Sequence, residues 1–160
     1  MIVKNLTKLA LVSATSVLMV ASAGASTTGT LLLNGTVPAL LSIGVSAEAI
    51  ASNLPLDTTQ NQTKVATVNE ISNSNTGYQV SISSVNEGSL VHESVASSFI
   101  NYTLRYDGST VDLTGDAFTY ASAASVNVNR DVDISYTGVD HAQLIQGAYS
   151  DTVTFTISAN

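Results

Sequence analysis

The sequence predicts an all-β protein, an antiparallel β-sandwich, and three observations carry that prediction. Beyond residue 25 the chain is rich in Ser, Thr, Asn and Val and poor in Glu, Lys and Arg. Such a composition favours strands over surface helices, which usually carry charged helix formers. Apolar and polar residues alternate with a period of two in run after run, the pattern of half-buried strands. Residues suited to turns separate those runs.

The chain opens MIVKNLTKLALVSATSVLMVASAGAS. Lys4 and Lys8 precede an apolar stretch over residues 9–20, and Ala23-Gly24-Ala25 has the small residues of a cleavage site. This is the pattern of a secretory signal peptide over residues 1–25, too short and too mixed for a membrane span. Cleavage before Ser26 leaves one domain's length of chain. Residues 29–41, GTLLLNGTVPALL, then form an apolar segment interrupted by Gly35. Ser46 to Ile50 reads as a short helical turn or a bend. Ser72-Asn73-Ser74-Asn75-Thr76-Gly77 is a reversal, and Tyr78-Gln79-Val80-Ser81-Ile82-Ser83 a strand with Tyr78, Val80 and Ile82 on one face. The run from Ile100 to Tyr106 puts Ile100, Tyr102, Leu104 and Tyr106 on one face. Asp107-Gly108 is a hairpin signal. Val126-Asn127-Val128 and Val132-Asp133-Ile134-Ser135-Tyr136 alternate as well. The last run, Thr152-Val153-Thr154-Phe155-Thr156-Ile157-Ser158, carries Val153, Phe155 and Ile157 on one side. Alternation alone also fits a closed barrel.

Lys64, Arg105 and Arg130 are the only basic residues beyond residue 25, against 12 acidic ones, a formal charge of −9. Three scattered cations cannot neutralise a phosphate backbone or hold an anionic lipid surface, so neither nucleic acid nor a stable membrane contact is expected as a partner. With no cysteine, the chain has no thiol nucleophile, no thiolate zinc site and no disulfide.

Catalytic groupings are thin, and the expectation is a protein that is not an enzyme and holds no cofactor or metal. His141 follows Asp140, but adjacent strand residues face opposite ways. Asp131 and Asp133 share a strand face and with Asp140 offer ligands for a cation; a solvated strand face is the plainer reading. No nucleophile elbow and no phosphate-binding glycine loop occurs. Tyr102, Tyr106, Tyr120 and Tyr136 offer material for a sugar platform, although Tyr102 and Tyr106 fit the core better. Asn34-Gly35-Thr36, Asn61-Gln62-Thr63 and Asn101-Tyr102-Thr103 match the glycosylation acceptor pattern, which an Asn- and Thr-rich chain produces easily by chance.

One face of the opening segment reads Leu31, Leu33, Gly35, Val37. A glycine in such a row marks close approach of another group. Asn34-Gly35 is also a hairpin signal, and the segment also reads as the first strand of the chain's own sandwich. The row resembles the N-terminal extension of bacterial chaperone–usher pilins, with Gly35 at the notch. The ending GAYSDTVTFTISAN is similar to the last strand of spore-coat-U-like secreted subunits, through Gly147, Tyr149, Asp151, Val153 and, in place of a valine, Phe155. The chain departs from typical pilins in lacking their disulfide pair and a tyrosine next to the C-terminus; Leu41 stands where many carry a cysteine.

The resemblance implies an incomplete immunoglobulin-like β-sandwich over residues 38–160, completed by an arm over residues 26–37 donated from another copy. Leu31, Leu33, Gly35 and Val37 would then be the donated residues, and Val153, Phe155 and Ile157 would border the acceptor groove. It implies as partners copies of the same or related subunits in a head-to-tail filament, a periplasmic chaperone and an outer-membrane usher. The place implied is the cell surface, in a pilus or coat, reached through the periplasm. The alternative from another class is a self-contained secreted β-sandwich that binds a ligand, carbohydrate among the candidates.

Overall fold

The computed structural model describes residues 27–114, 118–122 and 126–160, with the backbone alone for 118–122. The leader expected over residues 1–25 lies outside them. The chain divides into two units, Met1–Thr36 and Val37–Asn160. In the first, residues 27–36 have no regular structure. The alternative that residues 29–41 form the first strand of the chain's own sandwich is not met, since the first strand begins only at Leu41, and no hairpin forms at Asn34-Gly35. Leu31, Leu33 and Val37 are 82, 82 and 83 % exposed.

The second unit is all-β and antiparallel. Its strands are β1 (Leu41–Ala47), β2 (Gln60–Ser72), β3 (Tyr78–Ser84), β4 (Ser89–His92), β5 (Phe99–Asn101), β6 (Thr103–Tyr106), β7 (Ser109–Val111), β8 (Phe118–Ser122), β9 (Val126–Tyr136), β10 (Tyr149–Ser150) and β11 (Val153–Ala159). Single 3-10 turns lie at Ala49–Ser52 and His141–Gln143. One sheet has the order β1-β2-β9-β6-β7, a second β11-β3-β8 and a third β10-β4-β5. The first two sheets share a core. Val68, Leu104, Tyr106, Val132 and Ile134 come from one, and Tyr78, Val80 and Ile82 from the other. Across it the Tyr106 and Phe155 rings lie 5.8 Å apart.

The turn chemistry works as read. Asp107 and Gly108 both take positive φ, 49° and 75°, as a tight hairpin between β6 and β7 requires. Gly77, at φ 86°, closes the reversal between β2 and β3. Two readings need correction. The run from Ile100 to Tyr106 is not one strand: Tyr102 breaks it, so β5 joins the third sheet and β6 the first. The two runs at 126–128 and 132–136 are one strand, β9. In β2 the ladder slips between Lys64 and Ala66, and Val65 and Ala66 are both buried in succession. An extra residue at a bulge produces such a break in alternation.

Candidate functional site

The geometry that sets this molecule apart lies along two strand edges, β1 and β11. Each ends its sheet, and among the described residues nothing pairs with its outer side. The hydrogen-bond parity fixes what those sides present. Val85 N–H donates to Thr152 C=O at 3.1 Å and Asn160 N–H to Gly77 C=O at 3.4 Å, both in register with the β3–β11 ladder. Antiparallel ladders alternate, so Thr154, Thr156 and Ser158 bond to β3, while the backbone groups of Val153, Phe155, Ile157 and Ala159 point to the open side. The same holds on β1. Asn73 N–H to Leu40 C=O (3.1 Å) and Glu48 N–H to Val65 C=O (2.8 Å) set the even residues toward β2. The open side then carries the backbone groups of Leu41, Ile43, Val45 and Ala47.

The side chains of these same residues face the core. Leu41, Ile43, Val45 and Ala47 stand opposite Ser72, Glu70, Val68 and Ala66; Phe155 and Ile157 stand opposite Ile82 and Val80. Yet Leu41 is 37 % and Val45 53 % exposed, and Val153, Phe155 and Ile157 are only half-buried. The core face is only partly covered along both edges. Cα atoms of β1 and β11 come within 8 Å of each other. Leu41 and Ala159 line a cleft of about 570 Å³ at one end, and Ala51 and Val153 line a pocket of about 120 Å³ at the other. The two edges therefore run antiparallel along one seam, with a cavity at each end. Val153, Phe155 and Ile157 lie on it together, while Leu31, Leu33 and Gly35 belong to the other unit and Val37 stands at the start of this one. A Cβ on Gly35 would meet nothing within 4 Å.

Behind the open edge sits a closed polar cluster that sequence reasoning missed. Glu70, 0 % exposed, accepts hydrogen bonds from Tyr78 Oη (2.5 Å), from Tyr106 Oη and from Arg130 Nε (3.3 Å). Arg130 Nη1 reaches Asp107 at 2.6 Å. Tyr78 comes from the second sheet and Glu70, Tyr106 and Arg130 from the first, so the cluster ties the sheets together. Burial, reinforced by the hydrogen bond to Glu70, pushes the Tyr106 phenol well above the usual tyrosine range. Asp151 forms a second tie, accepting from Ser84 Oγ (2.5 Å), Tyr102 Oη (2.7 Å) and Asn86 N–H (3.0 Å) where β10 hands over to β11. Burial first, then the bond to Asp151, likewise raises the Tyr102 phenol.

The remaining candidates do not converge. Asp131 pairs with Lys64 at 2.6 Å on an exposed strand face, and Asp140 caps the 3-10 turn through Ala142 N–H (2.8 Å). His141 Nε2 lies 3.2 Å from Asp57, not against Asp140. No group of three or more metal-ligating side chains occurs among the described residues. His92 is buried. Its Nδ1 accepts from Ser94 and Val95 N–H, both at 3.1 Å, so its Nε2 donates to the Gln146 carbonyl at 3.1 Å. Its ring meets Tyr149 edge-on at 5.1 Å. A Cβ on Gly147 would overlap that imidazole, the physical reason for glycine there. A cleft of about 550 Å³ lies beside Gly147, lined by Leu54, Leu56, Asp57, His141, Leu144 and Tyr149 among others. Among the described residues no helix is long and apolar enough to cross a membrane.

No protein-family model and no curated protein matches this chain.

Proposed function

We propose that this protein is a secreted structural subunit of a bacterial surface pilus or coat, which polymerises when the arm of one copy enters the edge opening of the next. One observation carries the reading: two facing strand edges are unpaired among the described residues, and their core-side apolar residues are only partly covered. An open edge with exposed apolar side chains is a hazard unless something covers it. A strand added there supplies backbone hydrogen bonds and apolar plugs together. The arm has the matching chemistry. Residues 31–37 number seven, as do β1 and β11, and seven extended residues span about 23 Å. The arm's apolar row is exposed and carries no charge, so its entry escapes the repulsion between acidic subunits. Full burial of each Leu or Val side chain is worth about 1.5–3 kcal/mol.

Entry requires movement. Neighbouring strands sit about 4.8 Å apart, so an inserted strand holds its flanks about 9.5 Å apart, and the edges must part to admit it. A contact of this kind is head-to-tail and need not close, so it builds filaments. A periplasmic chaperone that guards the open edge and an outer-membrane usher that exchanges it for the next arm complete the proposal. It involves no enzyme chemistry.

The absence of native cysteine makes the test clean. Copies carrying Leu33→Cys are mixed with copies carrying Ile157→Cys under mild oxidation. A disulfide-linked hetero-dimer is expected, and adding Gly35→Val to the first copy should abolish it without unfolding the subunit, since space around Gly35 is open. Absence of the cross-link, or its indifference to Gly35→Val, would contradict the reading. The 550 Å³ cleft supports the second reading, a self-contained binding module. That reading predicts a monomer that captures glycans on an array.

A further inference from the structure

We propose that Asn34-Gly35 is a site of spontaneous deamidation, a chemical clock that retires arms left unused. Asn–Gly occurs once in the chain. Both residues are exposed, neither belongs to a helix or strand, and a Cβ on Gly35 would have no neighbour within 4 Å. The reaction needs three things. The backbone nitrogen of the following residue must be free to approach the asparagine side-chain carbon, no side chain may crowd it, and the backbone must rotate. A glycine in irregular, solvated chain meets all three.

The Gly35 backbone nitrogen, having lost its proton to solvent base, attacks Cγ of Asn34. A C–N bond closes a five-membered succinimide, the bond from Cγ to the amide nitrogen breaks, and ammonia leaves with the proton. Water then adds at either ring carbonyl. Opening at one gives aspartate at position 34. Opening at the other gives an isoaspartyl link, in which the chain runs through the former side chain. No oxidant, reductant or enzyme is required.

The folded unit contains a control. Asn73-Ser74 is also an asparagine followed by a small residue. There, however, the side chain is pinned at both ends, with Oδ1 accepting from Leu40 N–H at 2.7 Å and Nδ2 donating to the Pro38 carbonyl at 2.8 Å. Asn69 is likewise held in a ladder, with Nδ2 bonded to Asn129 Oδ1 at 2.8 Å. Asparagine chemistry should start in the arm.

The effect on assembly rests on the function proposed above. An isoaspartyl link adds one backbone carbon between Leu33 and Gly35. Leu31 and Leu33 then fall out of step with Gly35 and Val37, and a period-two row cannot place both halves on one face. Once the arm is paired within a sheet, its backbone is fixed and the ring cannot close. Assembled subunits keep Asn34, and free ones lose it.

The test follows the purified full chain at mildly alkaline pH over time, with peptide mapping for the mass gain of NH₂ replaced by OH and enzymatic methylation to detect isoaspartate. The peptide containing Asn34 is expected to convert first, well ahead of the Asn73 peptide, and Asn34→Gln should abolish the early acidic shift. Conversion of Asn34 no faster than Asn73 would overturn the proposal. Fresh and aged samples then enter the cysteine cross-linking mixture. Loss of cross-link in proportion to isoaspartate, absent in Asn34→Gln, supports the clock; an undiminished cross-link from converted protein overturns it. If fresh protein fails to cross-link, the assembly reading falls, and the mass result still decides the chemistry at Asn34.

Discussion

Val45 and Val68 are direct cross-strand partners on the same face of the same sheet, yet Val45 is 53 % exposed and Val68 is 0 %. The alternation that placed them is identical. What differs is the neighbour: β2 lies between β1 and β9, whereas β1 has a strand on one side only. The contrast extends across the molecule. Around Glu70 every buried polar group among the described residues has a partner, and the two sheets are clamped. Along β1 and β11 the same core surface meets water. The interior is closed at its centre and partly exposed along one seam, which is where the proposed strand addition would act.

The largest effect should come from breaking the closed centre. Glu70→Ala removes the acceptor shared by Tyr78, Tyr106 and Arg130 and should cost about 3–5 kcal/mol. Chemical denaturation of the isolated subunit measures it. Glu70→Gln keeps an acceptor and should cost visibly less.

The valine pair sharpens the comparison. Val68→Ala should destabilise the subunit by about 2 kcal/mol, through lost burial and a cavity that cannot collapse. Val45→Ala should cost well under half of that in the monomer, because water already reaches it. In the arm-filled form the two costs should converge. Equal costs in the monomer would mean that the seam is already sealed.

The smallest effect is alkaline. Tyr106 and Tyr102 both have phenols raised above the unfolded range by burial and by their carboxylate partners. A raised acid stabilises the fold while the unfolded phenol is still protonated. That contribution is lost as pH climbs past about 10. Melting temperature should therefore fall from about pH 10 upward, and Tyr106→Phe should flatten the decline.

How much of this was legible in the sequence depends on how local each feature is. Asp107-Gly108 and Gly77 each encode a turn in one or two residues, and the turns stand where they were read. The alternation of Tyr78, Val80 and Ile82, and of Val153, Phe155 and Ile157, named the core faces of β3 and β11 directly. The break at Tyr102 was hidden, because a strand that changes sheets keeps its alternation while its backbone partners change. Glu70 was invisible for a related reason. Its partners lie 8, 36 and 60 residues away, and only the pairing of β2 with β9 and the facing of the sheets bring them together. The alternation of the opening segment was legible too, but alternation states which face a residue would take in a strand, not which chain supplies the partner strand.

The most direct measurement is the thermal stability of two chains. One is residues 38–160 alone. The other is the same chain with residues 28–37 appended after Asn160 through a short flexible linker, which lets the arm fold back beside β11. Assembly by arm insertion requires that the bare chain melts low or aggregates, and that the appended arm raises Tm by more than about 10 °C. A bare chain that melts cooperatively at the same temperature with or without the arm would contradict it.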